Sequence, residues 1–157
     1  SQERLELAAK ITAQIEEAFS TVRLNNGVGL FEAQAIDDYE SAEVRGSKRA
    51  LDEKEDWRRI ESKHLNECSS SLSFFDPEGM RFHLPAFMCC DLRGEYRMGL
   101  EFTLSMMDDL RRAQFSLLSS PQKLATAAYL EFLVEDLDTS KKCVPAIEKD
   151  LIEFWLS

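Results

Sequence analysis

Apolar residues recur at spacings of three and four along several stretches of the chain, as they do on the buried face of an amphipathic helix. In the first stretch, Leu5, Ala8 and Ile15 share one face, and a stop signal follows at Asn25-Asn26-Gly27. In a later stretch, Ser120 and Pro121 fit the N-cap and the first helical position. The pattern predicts helices over residues 3–22, 30–43, 121–137 and 144–155.

A different pattern occupies the middle of the chain, where Asp76-Pro77-Glu78-Gly79 separates two apolar runs. These four residues are typical of a tight turn, with Pro77 at its second position and Gly79 in a left-handed conformation. After the turn, Phe82 and other apolar residues alternate with polar ones, as in a strand with one buried face. The pattern therefore predicts strands 72–75 and 80–84 joined by turn 76–79, then a helix 85–93 ended by Gly94.

Two segments fit more than one structure. Residues 45–56 are dominated by charge and fit either a solvated loop or the start of a helix ending near His64. Residues 98–107 fit a strand or a helix, and we prefer a strand near 100–104 that joins the hairpin. Together the elements predict an α+β fold, a mainly helical single globular domain over 1–157 with a small antiparallel hairpin or three-stranded sheet.

Composition narrows the classes of partner. The chain has 157 residues, 44% hydrophobic, with a formal net charge of −10 spread over its length. Such a charge disfavours nucleic acid as a partner and favours a cationic protein, although solubility alone also accounts for it. No apolar run approaches the length of about 20 residues that a membrane span needs. We therefore expect a cytoplasmic protein with a protein partner, no nucleic acid and no membrane.

Candidate chemistry is limited to two histidines and four cysteines. His64 and Cys68 share a helical face if this segment is a helix, and His83 and Cys89-Cys90 are further donors for a metal. The spacing lacks the paired short motifs of structural zinc sites, and no nucleophile elbow or phosphate-binding glycine loop is present. We therefore predict no catalytic residue, no metal and no cofactor. The remaining cysteine, Cys143, is read with the others as a reduced thiol.

Part of the chain resembles a family of bacterial domains of unknown function. The resemblance runs over residues 55–137 and rests on Trp57 and Ile60, on the segment 74–88 and on the segment 115–122. Residues 74–88 carry the pattern Phe-x-Asp-x-x-Gly-Met-Arg-Phe-x-Leu-Pro-Ala-Phe-Met. The resemblance implies that some relatives are encoded near secreted bacterial toxins.

These observations lead to one functional hypothesis and its alternatives. The hypothesis is a non-enzymatic protein-binding domain, and in its more specific form an immunity-type inhibitor of a cationic bacterial toxin. The predicted partner-binding residues are Asp37, Asp38, Glu40 and Glu43, placed together on the helix 30–43, where their mutual repulsion gives a purely structural helix no benefit. The alternatives are an enzyme or metal-dependent protein that uses His64, His83 and the cysteines, and a subunit of a larger assembly.

Overall fold

The computed structural model describes residues 1–105, 107–136 and 143–157, and all regular structure within them is helical. The predicted α+β fold is therefore wrong: the described part of the chain contains no strand. The helices are α1 (Gln2–Ala18), α2 (Leu30–Asp37), α3 (Ala42–Leu51), α4 (Ser62–Glu67), α5 (Pro77–Leu92), α6 (Glu101–Leu104), α7 (Asp109–Gln114), α8 (Ser120–Val134) and α9 (Val144–Asp150). Shorter 3₁₀ turns cover Trp57–Arg59 and Ser69–Ser73, and a π-helical turn covers Leu151–Trp155.

The predicted hairpin is a helix because its turn signal is also a helix-start signal. The Asp76 side chain accepts a hydrogen bond from the Gly79 N–H at 2.8 Å, which makes Asp76 the N-cap of α5. Pro77 then takes the first helical position, where its missing N–H costs nothing. Gly79 is therefore helical and not left-handed, and the expected strands 72–75 and 80–84 do not form.

Helix α5 is the central element of the core, and this explains its misleading sequence pattern. Nearly every side chain from Met80 to Cys90 is buried, so the helix has no polar face to set a period of 3.6. Pro85 lies inside the helix, where a proline ordinarily costs about 3 kcal/mol. The apolar surface that α5 buries against α1, α4, α7 and the turn at Trp57 offsets that cost.

The amphipathic helices were predicted more closely. Helix α1 confirms the first prediction but ends at Ala18, a turn before the expected position. Helix α8 confirms the third, with its N-cap one residue earlier at Ser119, in a capping box with Gln122. The expected end of that helix at residue 137 lies outside the described residues. The last predicted helix is present as α9 and its π-helical extension.

Two other expectations need correction. The predicted helix 30–43 is divided into α2 and α3, and α3 continues through the first half of the charged segment 45–56. The predicted strand near 100–104 is the short helix α6.

The remaining helices enclose α5. Helix α1 packs on α8 and α5, while α2 packs on α3 and on the turn at Ser69–Ser73. Buried hydrophobic side chains from Ile11 to Trp155 form one contiguous cluster. No helix in the described residues is both long and apolar enough to cross a membrane.

Candidate functional site

The four predicted partner-binding residues lie around the corner between α2 and α3. Asp37 is the last residue of α2, Asp38 is its C-cap, Glu40 lies in the connecting turn, and Glu43 lies in the first turn of α3. Asp38, Glu40 and Glu43 are exposed, and Asp37 is half-buried. The structure thus places them at one corner, and the expectation that they share a single helix is wrong. Their role in binding stays a prediction.

Tyr39 stands at the apex of this corner, and its conformation is unusual. Its φ is +57°, in the left-handed region that costs residues other than glycine about 1–2 kcal/mol. The Tyr39 N–H donates to Ile36 O at 3.1 Å, and the Glu40 N–H donates to Ala35 O at 3.0 Å. This pair of bonds is the Schellman motif, whose left-handed position is usually glycine. The tyrosine side chain is 96% exposed, so packing within the chain does not compensate the strain.

The charge at the corner is not neutralised by neighbouring bases. Arg45, Lys48 and Arg49 follow in α3, but no ion pair in the described residues joins any of them to the four acidic side chains. Arg49 is engaged elsewhere, because its guanidinium donates to Asn25 O at 3.0 Å and pairs with Glu32 at 3.2 Å. The corner therefore presents an exposed aromatic ring among carboxylates that lack intramolecular partners of opposite charge.

At the opposite end of α2 lies a cavity of about 240 Å³ that has both histidines in its wall. His64 contacts Phe31 edge to face, with ring centroids 5.1 Å apart. His83 is fully buried and stacks on Phe75 at a centroid distance of 4.4 Å. Its Nδ1 lies 2.7 Å from Gly79 O, and its Nε2 has no hydrogen-bond partner. Burial lowers the pKa of His83 to about 4, although the Gly79 carbonyl opposes this change.

Asp52 closes the cavity from the side of α3 and joins two helices. Its carboxylate accepts the Phe31 N–H at 2.7 Å and the Glu32 N–H at 3.2 Å, and so satisfies the start of α2. Burial raises the pKa of Asp52 to about 6, while the two backbone N–H groups act in the opposite direction. A side chain at Gly29 would collide with this carboxylate, which accounts for glycine there.

The cysteines do not join the histidines. Cys68, Cys89, Cys90 and Cys143 are buried as free thiols, and none of them lines the cavity that contains His64 and His83. Burial raises the pKa of Cys68 to about 11 and that of Cys89 to about 12, so both thiols stay protonated at neutral pH. Within residues 1–105, 107–136 and 143–157, no group of three or more His, Cys, Asp or Glu side chains is arranged to hold a metal ion.

A sequence model of one protein family matches residues 7–157. The chain belongs to DUF6714, a family of unknown function. Comparison with curated proteins and with solved structures found no match. The expectation of a family of unknown function is thus confirmed, over a longer part of the chain than residues 55–137.

Sequence reasoning missed two residues that organise these regions of the DUF6714 chain. Tyr39 falls inside the predicted helix 30–43, and its sequence neighbours carry no glycine that signals a helix end. Asp52 was one charge among many, and its role depends on a contact with residues 20 and 21 positions away. The available signal for Tyr39 was the run Asp37-Asp38-Tyr39-Glu40, in which an aromatic residue stands among three acids.

Proposed function

We propose that this member of DUF6714 is a non-enzymatic binding domain that recognises a cationic protein through the corner between α2 and α3. The observation that carries the proposal is Tyr39, a fully exposed aromatic side chain on a left-handed backbone. The left-handed backbone costs free energy, and burial of the exposed ring by a partner offsets that cost in the complex. Tyrosine is among the residues most often found at the energetic centre of protein interfaces.

The surrounding charge supports a basic partner. Asp38, Glu40 and Glu43 form an exposed acidic rim beside the ring, without ion pairs to the nearby bases in the described residues. Lysine and arginine side chains of a partner meet this rim without first displacing an intramolecular base. Charges at a rim act mainly on the rate of association, so binding is expected to slow as the salt concentration rises.

The specific form of the proposal is an immunity-type inhibitor that acts in the cytoplasm of a bacterium on a cationic toxin. It is supported by the acidic corner and by the resemblance of residues 55–137 to domains encoded near secreted toxins. Cysteine nucleophilic chemistry finds less support, because burial raises the pKa of Cys68, Cys89 and Cys90.

Partner capture with three matched baits tests the proposal. The wild-type protein, Tyr39→Gly and Asp37→Lys/Asp38→Lys are used to retain proteins from the native host, with identification by mass spectrometry. The wild type should retain a basic protein that Tyr39→Gly retains at least tenfold less, and the double reversal should slow its association. Circular dichroism confirms that each bait is folded. Equal retention by wild type and both variants, or no retained protein at all, would contradict the proposal.

A further inference from the structure

The cavity at the start of α2 has a floor and walls of distinct chemistry. It lies between Leu30 and Phe31 of α2, the residues that follow α3, and the segment 59–64, with His83 of α5 at its floor. Its volume is about 240 Å³. Since liquid water occupies about 30 Å³ per molecule, the cavity holds on the order of eight water-sized groups. It therefore suits a ligand smaller than most cofactors.

A buried hydrogen-bond acceptor lies beneath the floor of the cavity. A carbonyl oxygen can only accept, so the contact between His83 Nδ1 and Gly79 O assigns the proton to Nδ1. A charged imidazole would bury both its charge and an unpaired Nε2 N–H, so the ring is neutral and Nε2 keeps an unshared electron pair without a partner. A buried acceptor in this state lowers stability, and the cost is recovered when a donor reaches it. His83 has no exposed surface, so a donor reaches Nε2 only when side chains at the floor shift.

The walls combine acceptors with apolar surface. Three acidic residues, Asp52, Glu53 and Glu61, line the cavity together with one basic residue, Arg59. The carboxylates of Asp52 and Glu53 already accept backbone N–H groups, so Glu61 is the acid whose carboxylate is left to meet a ligand. Arg59 also lies 4.0 Å from Asp56, outside the cavity, which further reduces the positive charge that it supplies. The Phe31 ring and the neighbouring aliphatic side chains form a surface for a short hydrocarbon chain. The arrangement favours a ligand that is cationic, rich in N–H donors and partly apolar.

We propose that this cavity binds a primary alkylammonium or alkylguanidinium group, with one N–H donating to His83 Nε2. The group belongs either to a free small molecule or to the end of a lysine or arginine side chain on another protein. The cavity and the corner at Tyr39 lie at opposite ends of α2, so this site is separate from the proposed protein-binding surface.

Nitrogen NMR of the full chain tests the contact directly. The ¹⁵N-labelled protein is titrated at pH 7 with n-butylammonium chloride, and the Nε2 and Nδ1 resonances of His83 are followed. A saturable shift of Nε2 is expected, with an affinity at least tenfold above that for n-butanol, which has the same chain and no charge. Shifts confined to the backbone amides of exposed acidic residues, or equal affinity for n-butanol, would overturn the proposal.

A lysine analogue separates the two sources of the cation. Nα-acetyl-lysine-N-methylamide carries the same ammonium on a chain attached to peptide groups. Affinity equal to that of n-butylammonium assigns the cavity to a protein side chain, and affinity at least tenfold lower assigns it to a free small molecule. If neither cation produces a saturable shift of His83, the cavity does not bind an alkylammonium group and the proposal is contradicted.

Substitutions test which side chains of the cavity bind the cation. His83→Phe keeps an aromatic ring between Phe75 and Phe82 and removes the acceptor, so it should remain folded and bind n-butylammonium at least tenfold more weakly. Amide shifts of Leu30 and Phe31 report binding in this variant. Glu61→Gln should weaken binding, while Asp109→Asn, which removes an exposed carboxylate outside the cavity, should not. Undiminished binding by His83→Phe would show that Nε2 is not the acceptor.

Discussion

The C-terminal ends of α2 and α5 have the same backbone geometry but different residues at its left-handed position. At the end of α5, Gly94 has φ +75° and donates to Asp91 O at 2.9 Å, while Glu95 donates to Cys90 O at 3.0 Å. At the end of α2, Tyr39 and Glu40 make the corresponding pair of bonds. Glycine adopts this conformation without strain, and tyrosine does not.

The difference between the two ends is not explained by packing. A Cβ atom at Gly94 would meet nothing within 4 Å, so glycine is required there only for its φ. At Tyr39 the same requirement holds, yet the chain carries a large side chain that contacts solvent over 96% of its surface. We propose that α5 serves the core and that the end of α2 serves recognition, and substitutions in both regions test that division.

The largest expected effect concerns His83, inside α5. Its pKa is lowered to about 4 from an ordinary value of 6.5, so its contribution to stability is fully present above pH 6.5 and is lost as the pH falls toward 4. The loss approaches about 3 kcal/mol across that window, since one pKa unit corresponds to about 1.4 kcal/mol. In urea denaturation, the free energy of unfolding of His83→Phe relative to the wild type should increase by about 2 kcal/mol when the pH is lowered from 7.5 to 4.5.

Asp52, which caps α2, supplies a control of opposite sign. Its pKa is raised to about 6 from 3.8, so its contribution is present below pH 3.8 and is lost as the pH rises through 6. Asp52→Asn should therefore become more stable relative to the wild type as the pH rises from 4 to 7.

For His83, the contradicting result is a pH profile of stability for His83→Phe that runs parallel to that of the wild type. It would show that His83 titrates normally and is accessible to water.

Substitution of Gly79, near the start of α5, should lower stability for a different reason from substitution of Gly94. Its backbone is helical, but a Cβ atom would lie 2.5 Å from Val28 O and 2.9 Å from Asp76 Oδ1. Such overpacking typically costs 1–3 kcal/mol, and we expect about 2 kcal/mol for Gly79→Ala. Equilibrium unfolding in urea measures this loss. A loss below that of Gly94→Ala would mean that the loop at Val28 moves away freely.

The hairpin prediction failed because two structures share one signal. Asp76-Pro77 serves equally as the start of a turn and as an N-cap followed by a first-turn proline. The Val28 N–H, 48 residues away, also donates to Asp76 Oδ1, so this side chain joins the start of α5 to the loop between α1 and α2, a contact that the local sequence does not show. Since α5 is buried on nearly all sides, its sequence also lacked the helical period that identified α1 and α8.

The candidate site was located from the sequence only in part. The acidic residues Asp37, Asp38, Glu40 and Glu43 were identified from their charge, which is a local property. The break after Asp37 was missed because a tyrosine occupies the position where glycine ordinarily marks the end of a helix. The cavity was missed because His83 and Asp52 come together only through the packing of α3 against α2 and of α5 beneath them.

A smaller effect is expected at Gly94. Gly94→Ala keeps every contact, because no atom lies within 4 Å of the new Cβ, and it strains only the backbone. The free energy of unfolding should fall by about 1 kcal/mol. Chemical denaturation at pH 7 measures the change, with Gly46→Ala as a matched control at an open position within α3. The control should be neutral or stabilising, since alanine is favoured over glycine inside a helix.

The most direct test of the account is the stability of Tyr39→Gly, measured by urea denaturation at pH 7 beside Tyr39→Ala. If Tyr39 is retained for a partner at the expense of the fold, Tyr39→Gly should be more stable than the wild type by about 1 kcal/mol, since glycine relieves the left-handed strain. Tyr39→Ala removes the same ring and keeps the strain, so its stability should match the wild type. A Tyr39→Gly variant less stable than the wild type would contradict the account, because it would show that the tyrosine side chain supports the fold itself.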